Sequence, residues 1–233
     1  NASGTAAWQR AYLRDAEGAL VEVRDSARGA QWFAHDAAGR LVHTRDSLGR
    51  EERFAHDPAG NVQRNADAGP GRWGADHQLL EARGVHFTDD ARGRRASRAS
   101  AQQAPVRYRY DAHDRLVGID GLPEPWSARY DALGRRVEKR VGESVTRFWW
   151  DGDRLAVTEH PDGSLRVYVY PDARAWVPLL WVDYDGPDTE PAQGRRYYPF
   201  GDALGAPLEV RDDVGAIVWQ ARLDPYGHAE VDA

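Results

Sequence analysis

Eight histidines and 37 acidic side chains are the groups in this 233-residue chain that could move protons or hold a metal. A metal or general-base site needs them at a spacing that brings them together, as in HExxH, and the histidines show no such spacing. His35 and His56 instead recur at one position of a repeated motif, which assigns them to packing or to the surface. Neighbouring carboxylates can divide acid and base roles between them, and Asp89-Asp90 and Asp212-Asp213 are such pairs. Both fall in predicted turns, where adjacent side chains diverge toward solvent, so turn formation is the preferred reading. Cysteine is absent, which excludes a catalytic thiol, a disulfide framework and a cysteine-ligated metal.

Binding chemistry has few candidates. Arg92, Arg94, Arg95 and Arg98 lie among small residues and could grip a phosphate or an acidic partner, but a solvated loop is the preferred reading. Gly69, Gly71 and Gly74 form a GPGRWG stretch with no Lys-Ser or Lys-Thr after it, so no nucleotide-binding loop and no cofactor is expected. Nine Trp, ten Tyr and five Phe could stack on sugars, but an alternating aromatic stripe more often packs on its neighbours. A net charge of −6 argues against nucleic-acid partners. The longest apolar run, Ala175 to Val182, is too short to span a bilayer and is interrupted by Pro178. No membrane insertion is expected.

The elements behind these residues come from a repeat. Asp15, Asp25, Asp36, Asp46 and Asp57 follow one another at ten, eleven, ten and eleven residues. Around them recur an aromatic or His before the Asp, a Gly three residues after it, then Arg or Asn and an aliphatic residue: HDAAGRLV from His35 and HDPAGNVQ from His56. The pattern returns as YDAHDRLV from Tyr110, YDALGRRV from Tyr130 and WDGDRLAV from Trp150, the last one residue shorter in its turn. Asp90 and Asp172 continue the period, each 21 residues from Asp111 or Asp151. In each unit the Asp accepts backbone amides two residues on, and the Gly supplies a positive φ. The structural positions are therefore Asp36, Gly39, Asp57, Gly60, Tyr110, Asp111, Tyr130, Asp131, Gly134, Trp150 and Asp151. Between turns, segments such as Arg107 to Tyr110 and Arg166 to Tyr170 alternate large apolar with polar residues, as half-buried strands of about five to six residues do.

Two strands and two turns per 21-residue unit predict an all-β fold, a curled ribbon of antiparallel sheet. Residues 1–68 hold regular repeats, 69–104 an irregular stretch with room for a loop or short helix, and 105–233 the C-terminal repeats, all within one repeat domain. Methionine is absent too, so the chain is expected to be a piece of a longer protein.

The pairs Tyr110-Asp111 and Tyr130-Asp131, with RVYVYPDARAWVPLLWVD from Arg166 and YYPFGDALGAPLEVRDDVGAIVWQARLDPYG from Tyr197, resemble the Rhs and YD-repeat family. The resemblance covers nearly everything except the middle stretch. It implies a sheet spiralling into a hollow cocoon around a C-terminal toxin, as in type VI secretion effectors and insecticidal toxin complexes. It also implies other segments of the same parent and the enclosed toxin domain as partners, and secretion spike proteins or an immunity protein as indirect ones. The protein would be made in the bacterial cytoplasm, then secreted or delivered to a target cell.

Family members end the shell in a plug with a DPxGL-like motif and self-cleaving aspartates. Asp224-Pro225-Tyr226-Gly227 has His228 where that motif has Leu and is read as a repeat turn, like Asp57-Pro58. No catalytic residue is assigned, and activity is expected in segments outside this chain. The alternatives are an adhesion or carbohydrate-binding module and part of a self-cleaving core.

Overall fold

The computed structural model describes residues 9–64, 71–74 and 77–232. They group into two compact units, Asn1–Pro105 and Val106–Ala233. The boundary falls where the sequence reading restarts the regular repeats.

In the first unit the strands are β1 (Arg10–Arg14), β2 (Leu20–Asp25), β3 (Gly29–His35), β4 (Leu41–Asp46), β5 (Glu51–His56), β6 (Val62–Arg64), β7 (Arg72–Trp73), β8 (Leu79–Ala82), β9 (Val85–Asp89) and β10 (Arg95–Ser100). The boundary lies within β11 (Gln103–Tyr110). The second unit continues with β12 (Leu116–Asp120), β13 (Trp126–Tyr130), β14 (Arg136–Val141), β15 (Ser144–Asp151), β16 (Arg154–Glu159) and β17 (Leu165–Val169). It closes with β18 (Leu180–Tyr184), β19 (Arg195–Gly201), β20 (Pro207–Asp212), β21 (Ile217–Leu223) and β22 (Ala229–Asp232).

Within each unit strands pair antiparallel with their sequence neighbours: β1 through β6 form one sheet in chain order, β7 through β10 follow the same rule, and so do β11 through β22. The expected all-β antiparallel ribbon is what the chain forms. Among the described residues, Pro191–Gln193 forms a short 3-10 turn.

The stretch 69–104 corrects the expectation of a loop or short helix. Its described residues are largely β7 to β10, with Arg83 and Gly84 turning the β8–β9 hairpin at φ 52° and 72°. Ala, Ser and Arg have modest β propensity, but a neighbouring strand's hydrogen bonds outweigh local preference. Gly69 and Pro70 lie outside the described residues.

Because each strand packs chiefly on its sequence neighbours, little is wholly buried. Val23 and Phe54 in the first unit, and Val106, Ala128, Leu208, Val210 and Ala221 in the second, are the fully buried apolar side chains among the described residues. Thr44, Thr146 and Thr158 are buried between strands as well.

Candidate functional site

The repeated motif builds one local device. Asp36 shows it: its backbone N–H donates to the Arg40 carbonyl, 2.9 Å, and Gly39 N–H donates to the Asp36 carbonyl, 2.9 Å. One oxygen of the Asp36 carboxylate accepts the amides of Ala38 and Arg40 at 2.9 and 3.0 Å. Gly39 sits at φ 76°, so the connection is a three-residue hairpin loop closed by a left-handed glycine. Asp57, Asp111 and Asp131 repeat the arrangement, with Gly60 at 86° and Gly134 at 83°. In the Asp111 turn Asp114 replaces the glycine and adopts φ 62°.

The strand entering most of these turns carries a one-residue register shift just before the Asp, as at Ala34/His35, Arg109/Tyr110, Arg129/Tyr130 and Trp149/Trp150. Such a bulge re-aims the side chain that follows it. The motif's aromatic thereby reaches sideways: Tyr130 Oη donates to the Leu116 carbonyl at 2.9 Å, Trp150 Nε1 to Arg136 at 2.8 Å and Tyr170 Oη to Leu155 at 3.0 Å. His56 Nε2 lies 2.8 Å from the Leu41 carbonyl.

Arginine returns the contact. Arg115 holds its own turn's Asp111 with Nε at 2.7 Å and donates Nη1 to the Asp131 carbonyl at 3.0 Å. Arg40 likewise holds Asp36 at 2.8 Å and reaches the Asp57 carbonyl at 3.4 Å, while Arg135 holds Asp131 at 2.7 Å and reaches Gly152. Arg154 bridges Asp151 and the Asp172 carbonyl at 2.8 and 2.9 Å. Four pairs of turns, those of Asp36 and Asp57, Asp111 and Asp131, Asp131 and Asp151, and Asp151 and Asp172, are thus joined twice, by an aromatic or His pointing back and an arginine pointing forward. The guanidiniums of Arg115 and Arg154 also lie 5.2 and 5.1 Å from the ring centroids of Tyr130 and Tyr170.

This latch sets the local electrostatics. The side-chain hydrogen bond from Arg40, with the Arg40 and Ala38 amides, holds the Asp36 carboxyl down to about 2. Burial pushes the Asp131 carboxyl up, but the Arg135 amide and guanidinium outweigh it and keep it below the ordinary carboxylate range. Asp111 follows the same balance with Arg115.

The residues considered for chemistry are absorbed by the same framework. Asp224 accepts the Tyr226 and His228 amides at 2.8 and 2.9 Å, an ordinary repeat turn. Asp89 and Asp90 diverge, one to Arg95 at 3.2 Å and the other to Arg94. Asp212 caps its own turn, while Asp213 faces Tyr198 Oη at 3.2 Å. Arg95 also donates to the Leu79 carbonyl, 3.0 Å, so part of the basic stretch serves strand pairing. Among the described residues no three His, Asp or Glu side chains converge as a metal site. A cavity of about 260 Å³ opens on β3 and β4, lined by Trp32, Phe33, Ala34, His43 and Arg45. No described helix is long and apolar enough to cross a membrane, which says nothing of strands.

The model of the RHS Repeat matches residues 14–51 and 35–69, the turns of Asp15 to Asp57. Relatives extend the match along the chain: Toxin protein Tse5 of Pseudomonas aeruginosa is 31% identical over 69% of this chain, and Double-stranded DNA deaminase toxin A of Burkholderia cenocepacia is 30% identical over 95% of it. The chain belongs to the Rhs/YD-repeat family. It spans 14% of the first Rhs relative and 17% of the second. The fold agrees: the crystal structures of TcdB2-TccC3 with and without its hypervariable C-terminal region superpose with a TM-score of 0.52. They are 11–12% identical, cover 95–96% of this chain, and are themselves covered over only 13–14% of their length.

The Rhs motif's aromatic, Asp and Gly were legible in sequence, whereas the role of the basic residue after the Gly was not. Its signal was there: an Arg or Asn follows the glycine in the regular units, and a hydrogen-bonding aromatic or His stands one repeat further on.

Proposed function

We propose that this chain is a wall segment of an Rhs shell that encloses a C-terminal toxic effector and carries it to a target cell. The observation that supports it best is the doubled latch between successive turns, which joins repeats into a continuous sheet without requiring a second layer. The relatives named as toxins support the same reading, since each is several times longer than this chain. In this reading the partners are other segments of the parent and the enclosed effector. Any toxin or autoprotease chemistry belongs to those segments, and the parent is made in the bacterial cytoplasm before delivery.

Limited proteolysis of the full-length parent tests it. The C-terminal effector should resist digestion in the native parent and become cleavable when Arg115, Arg135 and Arg154 are all changed to Ala. An effector cut equally fast in both proteins would sink the proposal.

One observation favours a second reading, an adhesion or glycan-binding module. Trp32 is 40% exposed and lines the β3–β4 cavity with Arg45 5.7 Å from its ring centroid. Binding on a glycan array that disappears in Trp32→Ala would support it.

A further inference from the structure

The β3–β4 cavity has a chemistry of its own. Directly opposed residues of an antiparallel pair share a face, and the register sets Glu22, Trp32, Arg45 and Glu51 in one row across β2, β3, β4 and β5. Arg24, His43 and Arg53 stand on the same face, two residues along their strands. Ala30 and Ala34 flank Trp32 there, so no tall side chain of its own strand covers the indole, which is 40% exposed.

Two of the three arginines on this face are answered by acids. Arg24 holds the Glu22 carboxylate with two hydrogen bonds of 2.9 Å, and Arg53 lies 3.9 Å from Glu51. Arg45 makes no ion pair among the described residues, although Glu51 stands directly opposite it; its guanidinium lies 5.7 Å from the Trp32 ring centroid. The acceptors are already engaged. Hydrogen bonds from Arg24 first, and from the Trp32 indole N–H as well, hold the Glu22 carboxyl below its ordinary range, and Glu51 also lies 3.5 Å from His43 Nε2. With His43 neutral, the face therefore offers donors that carry one uncancelled positive charge beside an open π-surface.

These features select a ligand. A flat ring stacks on an indole, and a carboxylate on its edge takes the Arg45 fork in a charge-assisted contact. One negative charge balances Arg45, whereas the nearly two charges of a phosphomonoester leave an excess. A neutral polyol brings hydroxyl donors with few acceptors to meet them. The cavity, about 260 Å³, is smaller than the roughly 300–1,000 Å³ of sites for drug-sized molecules, so it suits one ring. We propose that this cavity binds a single-ring carboxylate, stacked on Trp32 and held by Arg45. The proposal rests on the second reading above in taking the cavity as a binding site, and it narrows the ligand to an anion whose ring is that of a sugar acid or of an aromatic acid.

Nuclear magnetic resonance titration of the 233-residue chain tests this, the Trp32 indole signal being identified by its loss in Trp32→Phe. Methyl glucuronoside and phenylacetate are each added in parallel with a neutral counterpart, methyl glucoside and phenylacetamide. At least one carboxylate should shift the Trp32 signal saturably, with its neutral counterpart bound at least about tenfold more weakly, as the loss of a charge-assisted hydrogen bond predicts. Arg45→Gln should weaken that carboxylate by a similar factor and change the melting temperature little, because Arg45 is exposed. Glu51→Gln, which removes the carboxylate opposite Arg45, should tighten it. A response to methyl glucuronoside alone assigns the ring to a sugar acid, and to phenylacetate alone to an aromatic acid. A neutral compound bound as tightly as its carboxylate would overturn the proposal and leave the second reading standing. Carboxylate binding indifferent to Arg45→Gln would overturn it too, as would no shift with either carboxylate, whatever the glycan array shows.

Discussion

At the scale of single residues the chain depends on backbone conformations that few side chains tolerate. Gly134 sits at φ 83° with nothing within 4 Å of where a Cβ would lie. Gly134→Ala meets no clash, so its cost is the left-handed backbone alone, about 1–2 kcal/mol. That corresponds to a melting temperature lower by roughly 2–8 °C in a domain of this size, read by circular dichroism. Asp114 is the converse case, a non-glycine at φ 62° in the equivalent place. Asp114→Gly should raise the melting temperature, by less than Gly134→Ala lowers it, because glycine also loses more chain entropy on folding.

The aspartates make these turns sensitive to acid. Asp36, held to about 2 against an ordinary value near 3.8, contributes stability that is complete above its unfolded pKa and is lost as pH falls from about 4 toward 2. Asp57, Asp90, Asp111 and Asp131 are shifted the same way, so their losses fall on the same side. Thermal melts should decline steeply below pH 4, and Asp36→Asn should show a shallower decline from a lower starting point. Equal slopes for the two proteins would assign the acid sensitivity elsewhere.

At the scale of elements the unit of stability is a pair of turns. Tyr130 and Arg115 join the β11–β12 turn to the β13–β14 turn from opposite directions, at 2.9 and 3.0 Å. Tyr130→Phe removes the bond to the Leu116 carbonyl and the long one, 3.5 Å, that Tyr130 Oη accepts from Arg136 Nη2, which predicts a loss of about 1 kcal/mol. Arg115→Ala removes a bond, a carboxylate partner and the stacked guanidinium, and should cost more. The two positions touch, so the double variant should depart from additivity by at least about 0.5 kcal/mol in denaturant unfolding. Strict additivity would mean that the two bonds stabilise their turns separately.

At the scale of the whole molecule, latches are unevenly distributed. In the second unit they run from β11 to the turn after β17, whereas the turns after β19 and β21 have none. Local opening follows the weakest connections. Amide hydrogen exchange should therefore be slowest in β12 to β17 and faster in β20 to β22, and uniform protection would contradict the latch as the source of cohesion. The proposal that this segment carries no self-cleaving activity has an equally direct check. The intact mass of the purified chain should stay constant over days, and Asp224→Asn should make no difference.

How much of this was legible in advance depends on the range of the interaction concerned. The spacing of Asp36, Asp57, Asp111 and Asp131 and the glycines three residues on determined the turns, because an Asp cap and a left-handed glycine act within four residues of chain. Alternation in Arg107 to Tyr110 determined the strands for the same local reason, and the whole all-β ribbon follows from repeating the two. The stretch 69–104 was not legible, because its residues become strands through what they pair with and not through their own propensities. The latch was hidden likewise. Arg115 and Asp131 are 16 residues apart, and only the antiparallel register, with its bulge before Tyr130, brings a guanidinium to one carbonyl and a phenol to another. Sequence alone determined the turns; tertiary structure decided what the side chains flanking them hold, because that contact exists only once two hairpins lie side by side.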